Sequence, residues 1–155
     1  MINNDILRRA RYALNISDAA MLELFALSGH AIAPSHLADL LKKDDEKGFV
    51  ECSNKVMAFF LDGLIIQKRG KPLIKPGQEK RADAPFTNNA ILKKLRIALE
   101  FKEVDMLETL KLGGMDISKS ELSALFRKEG HKHYKECGDQ FLRSFLTGLA
   151  TRLRG

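Results

Sequence analysis

Ile6, Leu7, Ala10, Ala13 and Leu14 fall at the three-and-four spacing of a helix buried along one face. A first helix is predicted over about residues 4–15, with Asn3 or Asn4 at its start accepting a bond from a free first-turn amide. A second begins near Asp18 and carries Met21, Leu22, Phe25 and Leu27, and Gly29 can take the positive φ that ends a helix. Pro34-Ser35 opens a third helix that continues through Leu37, Leu40 and Leu41. After the polar stretch from Asp44 to Gly48, a fourth carries Val56, Phe59, Phe60, Leu64 and Ile65. No stretch sustains period-two alternation, so strands are not expected.

The whole pattern then repeats. Shifted by 85 residues, the chain matches itself without a gap from Asn3/Asn88 to Gly70/Gly155, with 26 of 68 pairs identical. Most recurring positions suit packing: Leu14/Leu99, Met21/Met106, Leu22/Leu107, Leu27/Leu112, Ile32/Ile117, Leu37/Leu122, Leu40/Leu125, Phe60/Phe145, Leu61/Leu146 and Leu64/Leu149. In the second copy the third helix is announced by different chemistry, Ser118 with Glu121 three residues on, a reciprocal capping pattern. Gly63/Gly148 recurs in mid-helix, where glycine costs about 1 kcal/mol against alanine, and so marks a close approach of another helix. The expected architecture is all-α: a tandem duplication of a four- to five-helix module with pseudo-two-fold symmetry. Its parts are a first copy over residues 1–70, a linker over 71–87 and a second copy over 88–155. Pro72, Pro76 and Pro85 give the linker an extended, non-helical character.

Modules of about 60–70 residues are marginal alone, so the copies are expected to share burial. At 45% hydrophobic and 30% charged residues the chain has the composition of a folded protein. No apolar run reaches the roughly 18–20 residues that span a bilayer and the first residues lack a signal-peptide layout, so the expected compartment is the cytoplasm, with no membrane partner. Two cysteines, Cys52 and Cys137, are too few for a disulfide framework and read as buried thiols. The net charge of +6 is uneven. Basic and acidic residues balance at 9 each in residues 1–70 but stand at 13 against 9 in 88–155, which permits an anionic partner.

The pattern Asn3-Asn4-Asp5-Ile6-Leu7, Glu51-Cys52, Phe60-Leu61-Asp62-Gly63-Leu64 and Arg69-Gly70 recurs at Asn88-Asn89-Ala90-Ile91-Leu92, Glu136-Cys137, Phe145-Leu146-Thr147-Gly148-Leu149 and Arg154-Gly155. It resembles the YehS-like family of bacterial proteins, over nearly the whole chain and in both copies. That resemblance implies a domain of unknown function and transfers no catalytic residue.

Several groups are candidates for chemistry. His131, His133 and Cys137 form a His-x-His-x-x-x-Cys cluster of zinc-ligand types, although the first copy has Glu46, Gly48 and Cys52 there. The thiols could be nucleophiles only with a base nearby, and packing is the favoured reading. Glu23/Glu108 and Glu51/Glu136 suit structural pairing with the recurring Arg11/Arg96 better than acid catalysis. Gly113-Gly114 follows a helix and reads as its stop; no phosphate-binding loop is present. Arg8, Arg9 and Arg11 recur as Lys93, Lys94 and Arg96. Across a two-fold these would make paired basic patches for a nucleic-acid backbone. The Met21–Lys43 segment has a helix-turn-helix outline, but acidic residues on its reading helix weaken that comparison. No cofactor is expected. The reading that follows is a non-enzymatic binding or regulatory module with a protein partner. Nucleic-acid binding is the alternative, an enzyme with a site between the modules is a lesser one, and a homo-oligomer is compatible with all three.

Overall fold

The computed structural model describes residues 1–70 and 86–155, and among these every regular element is helical. The first copy supplies α1 (Asn3–Leu14), α2 (Asp18–Leu27), α3 (Pro34–Leu40) and α4 (Asn54–Arg69). The second supplies α5 (Asn88–Leu99), α6 (Glu103–Leu112), α7 (Lys119–Leu125) and α8 (Asp139–Arg154). The expected all-α duplication is therefore the fold. Of the proline-containing linker expected over residues 71–87, residues 71–85 lie outside the described residues.

Within each copy the second and fourth helices pack together, α2 on α4 and α6 on α8. Glycine makes this possible. A Cβ at Gly63 would overlap the carbonyl oxygen of Leu24, and one at Gly148 would overlap that of Thr109. The first and fourth helices pair across copies instead: α1 lies on α8 and α5 on α4. Exchanging the copies maps each contact onto the other, as an approximate two-fold requires. Ile6, Leu7, Phe25, Phe60, Leu64, Leu92, Leu95, Phe145 and Leu149 consequently join one continuous core. Neither copy could bury its α1-type helix face without the other.

The two asparagines that open each copy do not cap their own helices. The N-cap of α1 is Ile2, with no side-chain bond, and that of α5 is Thr87, whose hydroxyl accepts from the Ala90 amide at 3.2 Å. Asn4 is instead fully buried. Its Nδ2 donates to the carbonyls of Leu40 (2.9 Å) and Val50 (2.8 Å), and its Oδ1 accepts from the Cys52 amide (2.8 Å). Asn89 repeats all three bonds with Leu125, Lys135 and Cys137. One amide side chain thus closes the last turn of α3 or α7 and anchors the irregular strand of chain leading into the next helix. Only a group with a donor end and an acceptor end can do both. Asn3 and Asn88 add bonds from Nδ2 to the Cys52 and Cys137 carbonyls at 3.0 and 3.1 Å.

Helix ends agree with the turn chemistry of the sequence in most places. Gly29 and Gly114 take φ of +87° and +89° just past α2 and α6, and Ser118 and Glu121 form the reciprocal cap of α7. Gly113 does more than stop a helix, because a Cβ there would overlap the Ser144 carbonyl of α8. Leu27 and Leu112, read as packing positions, are 38% and 49% exposed. They sit in the last turns of α2 and α6 with their side chains partly left to solvent.

Candidate binding groove where the two copies meet

The sequence candidates separate once placed on this frame. Arg8 is paired with Asp5 and donates to the Lys42 carbonyl at 2.7 Å. Arg11 and Arg96 do one job in both copies: Nε donates to the carbonyl two residues past the end of the helix, Ile16 at 3.0 Å and Phe101 at 3.1 Å. Each supports a chain reversal through a left-handed residue, Asn15 (φ 53°) or Glu100 (φ 55°). Arg11 then pairs with Asp18, and Arg96 lies over the Phe126 ring at 4.7 Å. The expected pairing with glutamates does not occur. Glu108 bonds to Arg152 at 3.2 Å, while Glu23, Glu51 and Glu136 are exposed. Lys94 is paired with Asp62. Of the six cations proposed for nucleic acid, Arg9 and Lys93 remain exposed. The paired basic patches are not equivalent.

Cys52 and Cys137 belong to the asparagine-anchored segments and are buried, and burial pushes each thiol up to about 12. A thiol held protonated at neutral pH is a weak nucleophile. His131 and His133 lie exposed with ring centroids 5.9 Å apart, and His131 Nδ1 accepts from the His133 amide at 3.1 Å. Cys137 is turned into the core. Among the described residues no three His, Cys, Asp or Glu side chains are placed to hold a metal ion. The third helices are two turns long, and Asp39 of α3 is tied to Lys42 at 2.8 Å, which leaves little of a reading helix.

The crossing of α1 with α8 makes an open groove lined by Arg8, Arg9, Tyr12, Thr147, Ala150 and Arg154. Tyr12 is 61% exposed. Arg154 lies over its ring at 4.3 Å and donates to the Tyr12 carbonyl (3.1 Å) and to Asn15 Oδ1 (2.9 Å). Arg9 makes no hydrogen bond or ion pair among the described residues. The floor is apolar, from Leu146 and Ala150. Arg9 and the recurring Arg154 stand out in the sequence, whereas Tyr12, Asn15 and Thr147 do not. The signal lay in comparing the copies where they differ.

Fold and groove together define a duplicated all-α protein with a cationic, aromatic groove formed jointly by its two halves. The chain belongs to the DUF1456 family, described as proteins of unknown function, whose family model matches residues 3–70 and again 88–155. It is 42% identical over 152 residues to the uncharacterized protein YehS of Escherichia coli (strain K12), across 98% of this chain and 96% of that one. No solved structure matches it. Among the described residues no helix is long and apolar enough to cross a membrane.

Proposed function

We propose that this protein is a non-enzymatic binding module that engages a protein partner through the α1–α8 groove. One observation carries the reading: Tyr12 stands largely exposed beside Arg154 over an apolar floor, at the seam between the copies. Tyrosine and arginine are the side chains that most often dominate protein–protein affinity. They combine large area, few rotors and a polar end. The guanidinium of Arg154 is already fixed by two hydrogen bonds, so little ordering entropy remains to be lost on binding. A photocrosslinking phenylalanine analogue at position 12 is expected to trap a discrete adduct in cells. The same analogue at Lys119, exposed at the start of α7, is expected to give none. Equal trapping at both positions, or none at position 12, would refute the reading.

A second reading keeps nucleic acid, because Lys93, Arg127 and Lys128 line a different groove with Phe126 and Tyr134, although Glu129 lines it too. On this reading duplex DNA binds with an affinity that falls steeply with salt, and Lys93→Gln lowers the salt slope by about 1. Salt-insensitive or absent binding removes it.

A further inference from the structure

The pseudo-two-fold supplies an internal control for the α1–α8 groove, because α4 and α5 form its counterpart. There, Lys94 of α5 is paired with Asp62 of α4, and Arg69 of α4 is bonded to Glu100 at 2.8 Å. The equivalent cations in the α1–α8 groove are Arg9 and Arg154, and the positions equivalent to the two acids hold Thr147 and Asn15. Both carboxylates are therefore replaced by neutral groups while both cations are kept. Arg154 bonds to the amide oxygen of Asn15, and Arg9 has no partner among the described residues. Among the described residues no ion pair joins either arginine to a carboxylate.

From this we infer that the α1–α8 groove takes an acidic peptide segment, whose carboxylates occupy the places that Asp62 and Glu100 fill in the α4–α5 groove. The inference rests on the reading of this groove as a protein-binding surface and adds the chemistry of the occupant. Arginine matches a carboxylate with two parallel N–H donors, and the apolar floor beside Tyr12 suits side chains between the acids. Thr147, which lines the groove with Arg9 of α1, and Arg154 lie seven residues apart on α8, so the carboxylates are spaced roughly 10 Å apart. A segment in the polyproline II conformation, with three residues per turn and about 3.1 Å per residue, sets acids three residues apart on one face at close to that spacing. Two unneutralised cations are too few for a nucleic-acid backbone, whose binders neutralise on the order of 6–10 phosphates.

The same symmetry defines the test. Asn15→Glu and Thr147→Asp together rebuild the acids of the other groove, and both replacements already exist at equivalent backbone positions. Glu100 takes φ 55° where Asn15 takes 53°, so the double variant is expected to fold with an unchanged or raised melting temperature. Binding is read by fluorescence anisotropy with three labelled probes: a peptide with a Glu-Leu-Leu-Glu core, the same peptide with both glutamates as glutamine, and a 20-nucleotide single-stranded DNA. The acidic peptide should bind the natural protein at least tenfold more tightly than either other probe, and the double variant should lose that preference. Equal binding of the glutamine peptide would overturn the acidic specificity while leaving the crosslinking result at position 12 intact. Preferred binding of DNA would assign the groove to nucleic acid. Acidic-peptide binding that survives in the folded double variant, or that never exceeds the controls, would refute the inference; absence of the position-12 adduct as well would remove the groove reading itself.

Discussion

Replacing Asn4 by alanine removes three hydrogen bonds at a site with no access to water. At a net worth of about 1 kcal/mol each, the loss is about 3 kcal/mol, and more if the Cys52 amide is left without any acceptor. For a protein of this size that corresponds to a fall in Tm of roughly 6–12 °C. Asn4→Asp separates hydrogen bonding from volume, since aspartate has nearly the same shape. Its carboxylate can still accept from Cys52, but it turns an acceptor toward the two carbonyls that Asn4 donates to. At neutral pH it is expected to be at least as damaging as alanine. Burial and the facing carbonyls raise its folded pKa above the ordinary value of about 3.9, so the penalty grows as pH rises past that value and shrinks in mild acid, where the protonated form can donate to one carbonyl. Urea unfolding followed by circular dichroism, at pH 7 and near pH 5, measures both. A loss below about 1 kcal/mol for Asn4→Ala, or full stability of Asn4→Asp at pH 7, would show that the amide is not what holds this segment.

Because α1 lies on α8 and α5 on α4, Asn4 and Asn89 variants should each move one common unfolding transition; two separate transitions, one per copy, would contradict the shared core. Gly63→Ala should destabilise by about 1–3 kcal/mol despite the helix-favouring side chain, since its Cβ has to displace the Leu24 backbone, and a neutral or stabilising result in urea titration would mean α2 and α4 can separate at little cost. Cys52 and Cys137 should resist iodoacetamide at pH 8 in the native state and react once urea unfolds the chain. Since both folded thiols titrate near 12 and unfolded ones near about 8.5, their contribution to stability is complete below that lower value and is lost as pH climbs toward the upper one. A Cys52→Ala/Cys137→Ala variant should show a shallower alkaline decline.

The helices and their order were legible in the sequence because burial imposes a period, and the duplication was legible because packing in both copies retains the same residue types. Gly63 and Gly148 were legible too: a glycine in mid-helix is unfavourable alone and points to a neighbouring backbone. Asn4 and Asn89 were visible as recurring residues but were assigned the wrong task. A helix start two residues away offers a local partner, whereas the real partners lie 36 to 48 residues downstream. The recurrence of Arg11 and Arg96 likewise says that the residue matters, not that it braces the turn after its own helix.

The groove was hidden for a different reason. Arg9 and Lys94 look alike along the chain, and only the crossing of α1 with α8 and of α5 with α4 sets one beside Thr147 and the other beside Asp62. Sequence by itself determined that there would be two similar helical units, since periodic burial and conserved volume act locally. Tertiary structure alone decided which charges are neutralised, because Coulomb attraction and hydrogen bonding act between groups a few ångströms apart in space, however distant they are along the chain.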